Sequence, residues 1–367
     1  MIWIDRRIIT HFDFALILLI LPLLILSNML ISEVSETLAS KQLIYYGVGA
    51  AAFLLAFFAP IREYRWLIPA LYWFNIALLI AVDLFGVSKL GAQRWLQIPF
   101  TSFTIQPSEI FKPAFILMLA YLIQQNPPPR GGYGWKEFAK ISFYILLPFF
   151  LIAKEPDLGT ALILLIIGYG VLFLVGVNWR IWVTLAILIA LIAPFAYKYL
   201  LHDYQKKRIQ DLLGEKPSYH VRQSIIAIGS GGLRGKPKEE ATQTQLRFLP
   251  IATSDFIFAY FVERFGFFGA LGLVALYALL ILHIFSLYFK LEQDYFTKVV
   301  AVSIALLLFT YMSVNIAMTI GLAPVVGVPL PLFSYGGSSF VTFMVLLGIL
   351  EHLLAFRFKF LYNSTHL

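Results

Sequence analysis

Residues 158–177 read LGTALILLIIGYGVLFLVGV, twenty positions in a row without a charged side chain. At about 1.5 Å per residue, such a run taken as a helix covers the ~30 Å hydrocarbon core of a bilayer. Outward from it, comparable apolar stretches lie at about 12–31, 42–60, 66–86, 108–125, 138–153, 181–201, 254–289, 298–321 and 336–356. The 367 residues are 60% hydrophobic and 13% charged; soluble domains carry about 25% charged residues. The expected fold is therefore an all-α integral membrane protein, a polytopic bundle of about ten transmembrane helices, with residues 1–367 as a single domain. The stretch 254–289 is too long for one simple crossing. Residues 254–265 are expected to form a helical extension at the membrane face, with the crossing starting near Gly266. The stretch 12–31 follows Arg6 and Arg7, but it is long for a signal-peptide core and lacks a small-residue cleavage pattern. It is expected to remain as the first span.

Orientation follows from Lys and Arg in the short loops. With the N-terminus inside, twelve basic residues, from Arg6 and Arg62 to Arg357 and Lys359, fall on the cytoplasmic side. The short outer loops hold four: Lys41, Lys89, Arg94 and Lys154. Both termini are therefore expected in the cytoplasm, and the long loop at about 202–253, between spans seven and eight, outside. That loop has nine Lys/Arg against five acids, a net +4. The net charge of +8 thus follows membrane topology, and no nucleic acid is implied. Within the loop, Val221 to Ile228 is apolar enough to lie on the membrane or dock into the bundle. The absence of cysteine excludes disulfides, thiolate metal sites and cysteine nucleophiles.

Function has to be sought in the few polar residues of the spans. An ionisable side chain inside a span costs about 2.5–3.5 kcal/mol on insertion scales, and it pairs or lines a cavity. Glu109 and Lys112, in Gln-Pro-Ser-Glu-Ile-Phe-Lys-Pro, share one helix face; function and a self-neutralising pair weigh equally. Asp255 opens the eighth helix. A first-turn cap is the plain reading, yet Thr253 or Ser254 could cap as well, and a carboxylate at the lip of a cavity suits a general base. Glu263 and Arg264 are expected to be paired within the bundle. Glu155-Pro-Asp-Leu-Gly-Thr reads as an outer turn. Leu330-Pro-Leu-Phe-Ser-Tyr-Gly-Gly-Ser-Ser339, with Ser334 and Ser338, exposes backbone N–H groups at a helix start, which suits anions or close packing. His283 and His352 lack ligand spacing and are assigned no metal.

Together these segments resemble the SEDS family of bacterial membrane glycosyltransferases, the family of RodA, FtsW and SpoVE. The resemblance rests on Gly91-Ala-Gln-Arg-Trp95, Gln106-Pro-Ser-Glu109 with Lys112, Glu155 to Thr160, Ile228 to Leu233 with Gly235-Lys236, Ser254 to Ala259, and Leu330 to Ser339. The segment Thr242 to Pro250 is closer to the RodA branch. This sequence departs from the family in Thr253-Ser254, where His-Thr is usual, in Glu263-Arg264, where two acids are common, and in Pro237, where a glycine is usual.

The resemblance implies a peptidoglycan glycosyltransferase of cell elongation at the bacterial cytoplasmic membrane, with its active site on the extracytoplasmic side. Its substrate would be lipid II, the undecaprenyl-pyrophosphate disaccharide-peptide. Asp255 matches the family's essential aspartate, Glu109 and Lys112 its charged pair, and Trp95 its outer-loop tryptophan. Asp255 would be the general base, while Arg94, Lys112, Arg208 or Lys236 would hold the pyrophosphate. No cofactor is certain, and a divalent cation (Mg2+ or Mn2+) is left open. The implied partners are a class B penicillin-binding protein transpeptidase and other elongation-complex proteins. Two other readings compete: a lipid II flippase without chemistry, and a scaffold for cell-wall enzymes. Polar groups clustered at the outer face favour the enzyme, because transporter sites sit near the midplane.

Overall fold

A computed structural model describes residues 6–89, 92–97, 104–155, 157–199, 206, 218–241, 252–291 and 294–357. A short helix α1 (Arg6–His11) leads into α2 (Phe14–Val34), α3 (Glu36–Phe58) and α4 (Ile68–Phe85). Then come α5 (Pro107–Gln125), α6 (Trp135–Lys154), α7 (Leu158–Val175) and α8 (Trp179–Tyr199). Helix α9 (Tyr219–Gly231) lies in the long loop, followed by α10 (Ile257–Lys290), α11 (Tyr295–Thr319) and α12 (Ser338–Ala355).

Leaving aside α1 and α9, these helices coincide with the ten expected spans. Eight are long and apolar enough to cross a membrane by length and composition. The other two, α5 and α6, carry charges: Glu109 and Lys112 in α5, Lys136, Glu137, Lys140 and Lys154 in α6. Helix α5 hides its charges from lipid, with Glu109 and Lys112 both buried. Ser35 starts α3 earlier than expected, its side chain accepting from Leu38 N at 3.4 Å and so satisfying an orphan donor of the first turn. Helix α11 packs against α5, α7, α10 and α12 and is largely buried, whereas α8 is mostly exposed.

Helix α10 breaks where the sequence requires it. Gly266 has φ 67° and ψ −165°, which ends one helical segment and starts another. The orphan groups at the break are met by the loop after α9. Phe267 and Phe268 donate their N–H groups to Gly232 O (2.9 Å) and Leu233 O (3.2 Å), and Lys236 N–H donates to Glu263 O (3.0 Å). The approach is so close that a Cβ on Gly231 would lie 2.2 Å from Val262 O. The segment Val221 to Ile228 thus docks into the bundle, with Ser224 Oγ donating to Thr319 O at 2.7 Å.

Arg264 finds its partner on another helix. Its Nε and Nη2 donate to the two oxygens of Glu33 at 2.7 and 2.8 Å, and Tyr260 Oη donates to the same carboxylate at 2.5 Å. This ties the first segment of α10, before the Gly266 break, to the end of α2. At the opposite end of the bundle Arg62 pairs with Asp294, His283 Nε2 lies 2.5 Å from Asp13 Oδ2, and His352 Nδ1 lies 2.8 Å from Phe57 O. Between α4 and α5 the chain forms an unanticipated antiparallel meander, β1 (Val87–Lys89), β2 (Ala92–Gln97) and β3 (Thr104–Ile105).

Candidate active site

At the Gly266 end a cavity of about 250 Å³ opens between β2, the starts of α5, α7 and α12, and the turns at 254–255 and 327–336. Of the residues singled out in the sequence, Arg94, Glu109, Asp255, Ser334 and Ser338 line it. Asp157 lines it too.

Asp255 sits in the turn that precedes α10, and it is not the helix cap. That position belongs to Phe256, and no side chain bonds there. Its main chain is pinned by Asn315 of α11, whose Nδ2 donates to Asp255 O at 2.9 Å and to Val328 O at 2.7 Å. Among the described residues no donor engages the Asp255 carboxylate. Half-burial without a partner pushes its pKa above the ordinary carboxylate value, because desolvation disfavours the charged form. Gly327, with φ 70°, keeps the space beside it open: a Cβ there would stand 3.8 Å from Asp255 Oδ2.

Glu109 and Lys112 pair as their spacing requires. The Lys112 ammonium donates to Glu109 Oε1 and to the hydroxyl of Tyr311 on α11, and it is buried behind the cavity wall. Glu109 Oε2 is buried without a hydrogen-bond partner.

Arg94 reaches the cavity from β2. Its guanidinium lies 3.8 Å from Asp157, and its Nε donates to Glu155 O at 3.3 Å. Asp157 also accepts from Gln106 Nε2 (3.2 Å) and caps α7 through Thr160 N (3.3 Å). The turn Glu155–Asp157 is therefore part of the site. Glu155 is 2% exposed, and neither carboxylate oxygen has a hydrogen-bond partner. Burial pushes its pKa up to about 8, helped by Asp157 and Asp83 and opposed by Arg94.

The 330–336 turn closes the cavity and is held at every step. Leu330 N–H donates to Ser334 Oγ (2.8 Å), which itself donates to Ser254 O (2.6 Å). Tyr277 Oη donates to Pro331 O and Ser27 Oγ to Phe333 O, both at 2.5 Å. Tyr335 N–H donates to Thr253 O at 2.8 Å. These contacts hold Leu332 at φ 60°, a strained left-handed conformation for a branched side chain.

Other sequence candidates stand apart from the cavity. Trp95 follows Arg94 on β2, and successive strand residues face opposite ways; Trp95 does not line the cavity, nor does Lys236, whose main chain serves the Gly266 break. Arg208 lies outside the described residues. Conversely, Asn315, Asp157 and Tyr311 belong to the site and were not assigned from the sequence. Asn315 had a signal, an amide inside an apolar span, which needs partners there. No group of three or more His, Cys, Asp or Glu among the described residues could hold a metal by itself. Asp255 and Glu109 both line the cavity, and hard cations are held by one or two carboxylates plus phosphate, so the donor chemistry for such an ion is present.

Fold and site together define a class: a multi-pass helical membrane enzyme with an unpaired, partly buried carboxylate in a cavity at one end of its bundle. A family model described as cell cycle protein, FtsW/RodA/SpoVE, matches residues 3–358, and the chain belongs to that family. It is 60% identical to the peptidoglycan glycosyltransferase MrdB of Helicobacter pylori (strain ATCC 700392 / 26695), over 98% of this chain and 94% of that one. It is 40% identical to the peptidoglycan glycosyltransferase MrdB of Escherichia coli (strain K12), over 92% of each. Among solved structures it resembles a chain of a peptidoglycan synthase complex that coordinates polymerization and crosslinking. That match has a TM-score of 0.82 and 26% identity, and it covers 95% of this chain and 99% of the other. By its family and these relatives the chain is a glycosyltransferase.

Proposed function

We propose that the cavity is the transfer site at which lipid II is polymerised into glycan strands, on the extracytoplasmic face of the cytoplasmic membrane, during cell elongation. The observation that carries this reading is the unpaired Asp255 carboxylate lining a cavity that also holds Arg94. Asp255 takes the proton from the GlcNAc 4-hydroxyl of the acceptor. That oxygen bonds to the anomeric carbon of the donor MurNAc, with inversion, as the bond to the diphosphate breaks. The undecaprenyl diphosphate leaves with the electron pair. A raised pKa suits the base, since proton transfer is favoured when acid and base are better matched. Arg94 supplies positive charge to the departing diphosphate. Lys112 acts differently from a phosphate ligand: its donors go to Glu109 and Tyr311, so it shapes the wall. A divalent cation, Mg2+ or Mn2+, would be held by Asp255 and Glu109 and would neutralise diphosphate charge.

A class B penicillin-binding protein transpeptidase is the proposed partner, with other elongation-complex proteins around it; the likeness to a synthase-complex chain supports it. The test is polymerisation of purified lipid II by the reconstituted protein, with and without that partner, beside Asp255→Asn. The mutant is expected to lose at least about 10²-fold in rate, the lower end for a general base. A mutant as fast as wild type would sink the assignment of the base. If the wild type with its partner made no polymer while labelled lipid II crossed the bilayer, transport would replace transfer.

A further inference from the structure

The cavity is small for the proposed substrate. At about 250 Å³ it falls below the ~300–1,000 Å³ of pockets that enclose drug-sized ligands, and a disaccharide-peptide diphosphate is larger than those. Only the reacting ends fit inside, so the sugar rings away from the transferred bond rest on the rim.

The rim offers a surface suited to them. Among the described residues, three aromatics line the cavity: Tyr311, Phe340 and Tyr335. Tyr311 and Phe340 are buried, and Tyr311 is engaged by Lys112. Tyr335 is partly exposed and lies beside Tyr45 of α3, ring centroids 6.0 Å apart and planes inclined by 54°. Gly337 lets the chain pass close to Tyr45, since a Cβ there would come within 2.8 Å of that ring. Tyr335 is also the aromatic residue that the strained, heavily bonded 330–336 turn brings to the cavity, beside Leu330, Leu332, Ser334 and Gly336. The turn buries Leu330, Leu332 and Phe333, and strain held by so many contacts is characteristic of a site that must not move.

From this arrangement we propose that Tyr335, backed by Tyr45, is a saccharide-binding subsite for a pyranose ring of the lipid-linked glycan. The proposal rests on the transfer reading above. A pyranose presents a face of C–H bonds, apolar and slightly positive, while a tyrosine ring presents an apolar, slightly negative face. Stacking them removes apolar surface from water and leaves the sugar hydroxyls at the edge, free to bond. The turn fixes the ring before substrate arrives, so little ordering entropy is lost on binding.

The experiment measures binding rather than turnover, in the reconstituted full chain carrying Asp255→Asn so that substrate is not consumed. Lipid II and sugar-free undecaprenyl diphosphate are the two probes. Tyr335→Ala is expected to weaken lipid II binding about tenfold, the scale of one aromatic contact, and to leave the sugar-free lipid unaffected. Tyr335→Phe and Tyr335→Trp, which keep a ring and protect the fold, are expected to bind lipid II within about twofold of the parent. Three results would overturn the proposal. They are unchanged lipid II binding by Tyr335→Ala, equal losses for both probes, or a Tyr335→Phe loss as large as that of Tyr335→Ala. Polymerisation by the chain with native Asp255, measured in parallel, reports on the transfer reading separately. A failure there does not change what the binding comparison says about the ring.

Discussion

Asp255 combines three properties: half-burial, no partner for its carboxylate among the described residues, and a main chain locked by Asn315. As a base it must be ionised, so acid should silence the enzyme. Because burial raises its pKa, the acid limb of the rate profile is expected above the ~3.9 of an ordinary aspartate; a limb at or below that value would count against Asp255. Asn315→Ala leaves Asp255 O and Val328 O without their donor, at about 1–3 kcal/mol per buried group. It is expected to lower kcat about tenfold or more with KM little changed, as steady-state polymerisation kinetics would show. Glu155 makes a separate prediction about stability. Its folded pKa, about 8, lies above its unfolded value, so the folded state binds the extra proton between about 4.5 and 8. Stability is therefore greatest at the acid end of that window and falls as pH rises through it. Glu155→Gln should match wild type in thermal midpoint at pH 5 and exceed it at pH 9. The Glu109–Lys112 pair was legible because charge in an apolar setting is conspicuous in sequence; Asp255 reads first as a helix cap and stands out only through the family resemblance. Asp157 was not legible, since Pro-Asp-x-Gly is ordinary turn chemistry until Arg94 is seen beside it.

Among the elements, α10 shows how length alone can be read. A run of this extent had to break or project, and Gly266 was the natural place; it is where the helix breaks. What sequence did not reveal is how the break is closed. The loop glycines serve contact: Gly235 has φ 81°, and a Cβ on it would meet Arg264 O at 2.2 Å. Gly235→Ala is accordingly expected to cost about 1–3 kcal/mol, seen as a lower thermal midpoint, and more if the backbone cannot yield. The clamp from α2 was equally hidden, because Glu33 looks like any acid at the end of a span. Its side chain and that of Arg264 are 11% and 13% exposed, so Glu33→Ala strands a largely buried guanidinium. A loss of roughly 3–5 kcal/mol is expected, with Glu33→Asp recovering part of it. The β meander escaped notice because its strands are short and give little periodic signal.

For the whole molecule, the alternation of ten spans placed the sequence candidates at one end, and the structure brings five of them around one cavity. Which membrane face that end occupies is open to a direct check, because the chain has no cysteine to confuse labelling. Glu239→Cys, in the exposed part of the long loop, should react with an impermeant maleimide in intact spheroplasts. Gly131→Cys, exposed at the opposite end with open space around its Cβ position, should react only after lysis. The reverse pattern would invert the orientation and move the cavity to the cytoplasm. The small size of that cavity carries a last consequence. As the proposed transfer site, a chamber that admits only the reacting ends has no means of sensing how many units have already been joined. Each addition then competes with release on the same terms as the one before. Strand lengths made by this chain alone should follow a geometric distribution, without a preferred length, and any sharper length control must be imposed from outside the chamber.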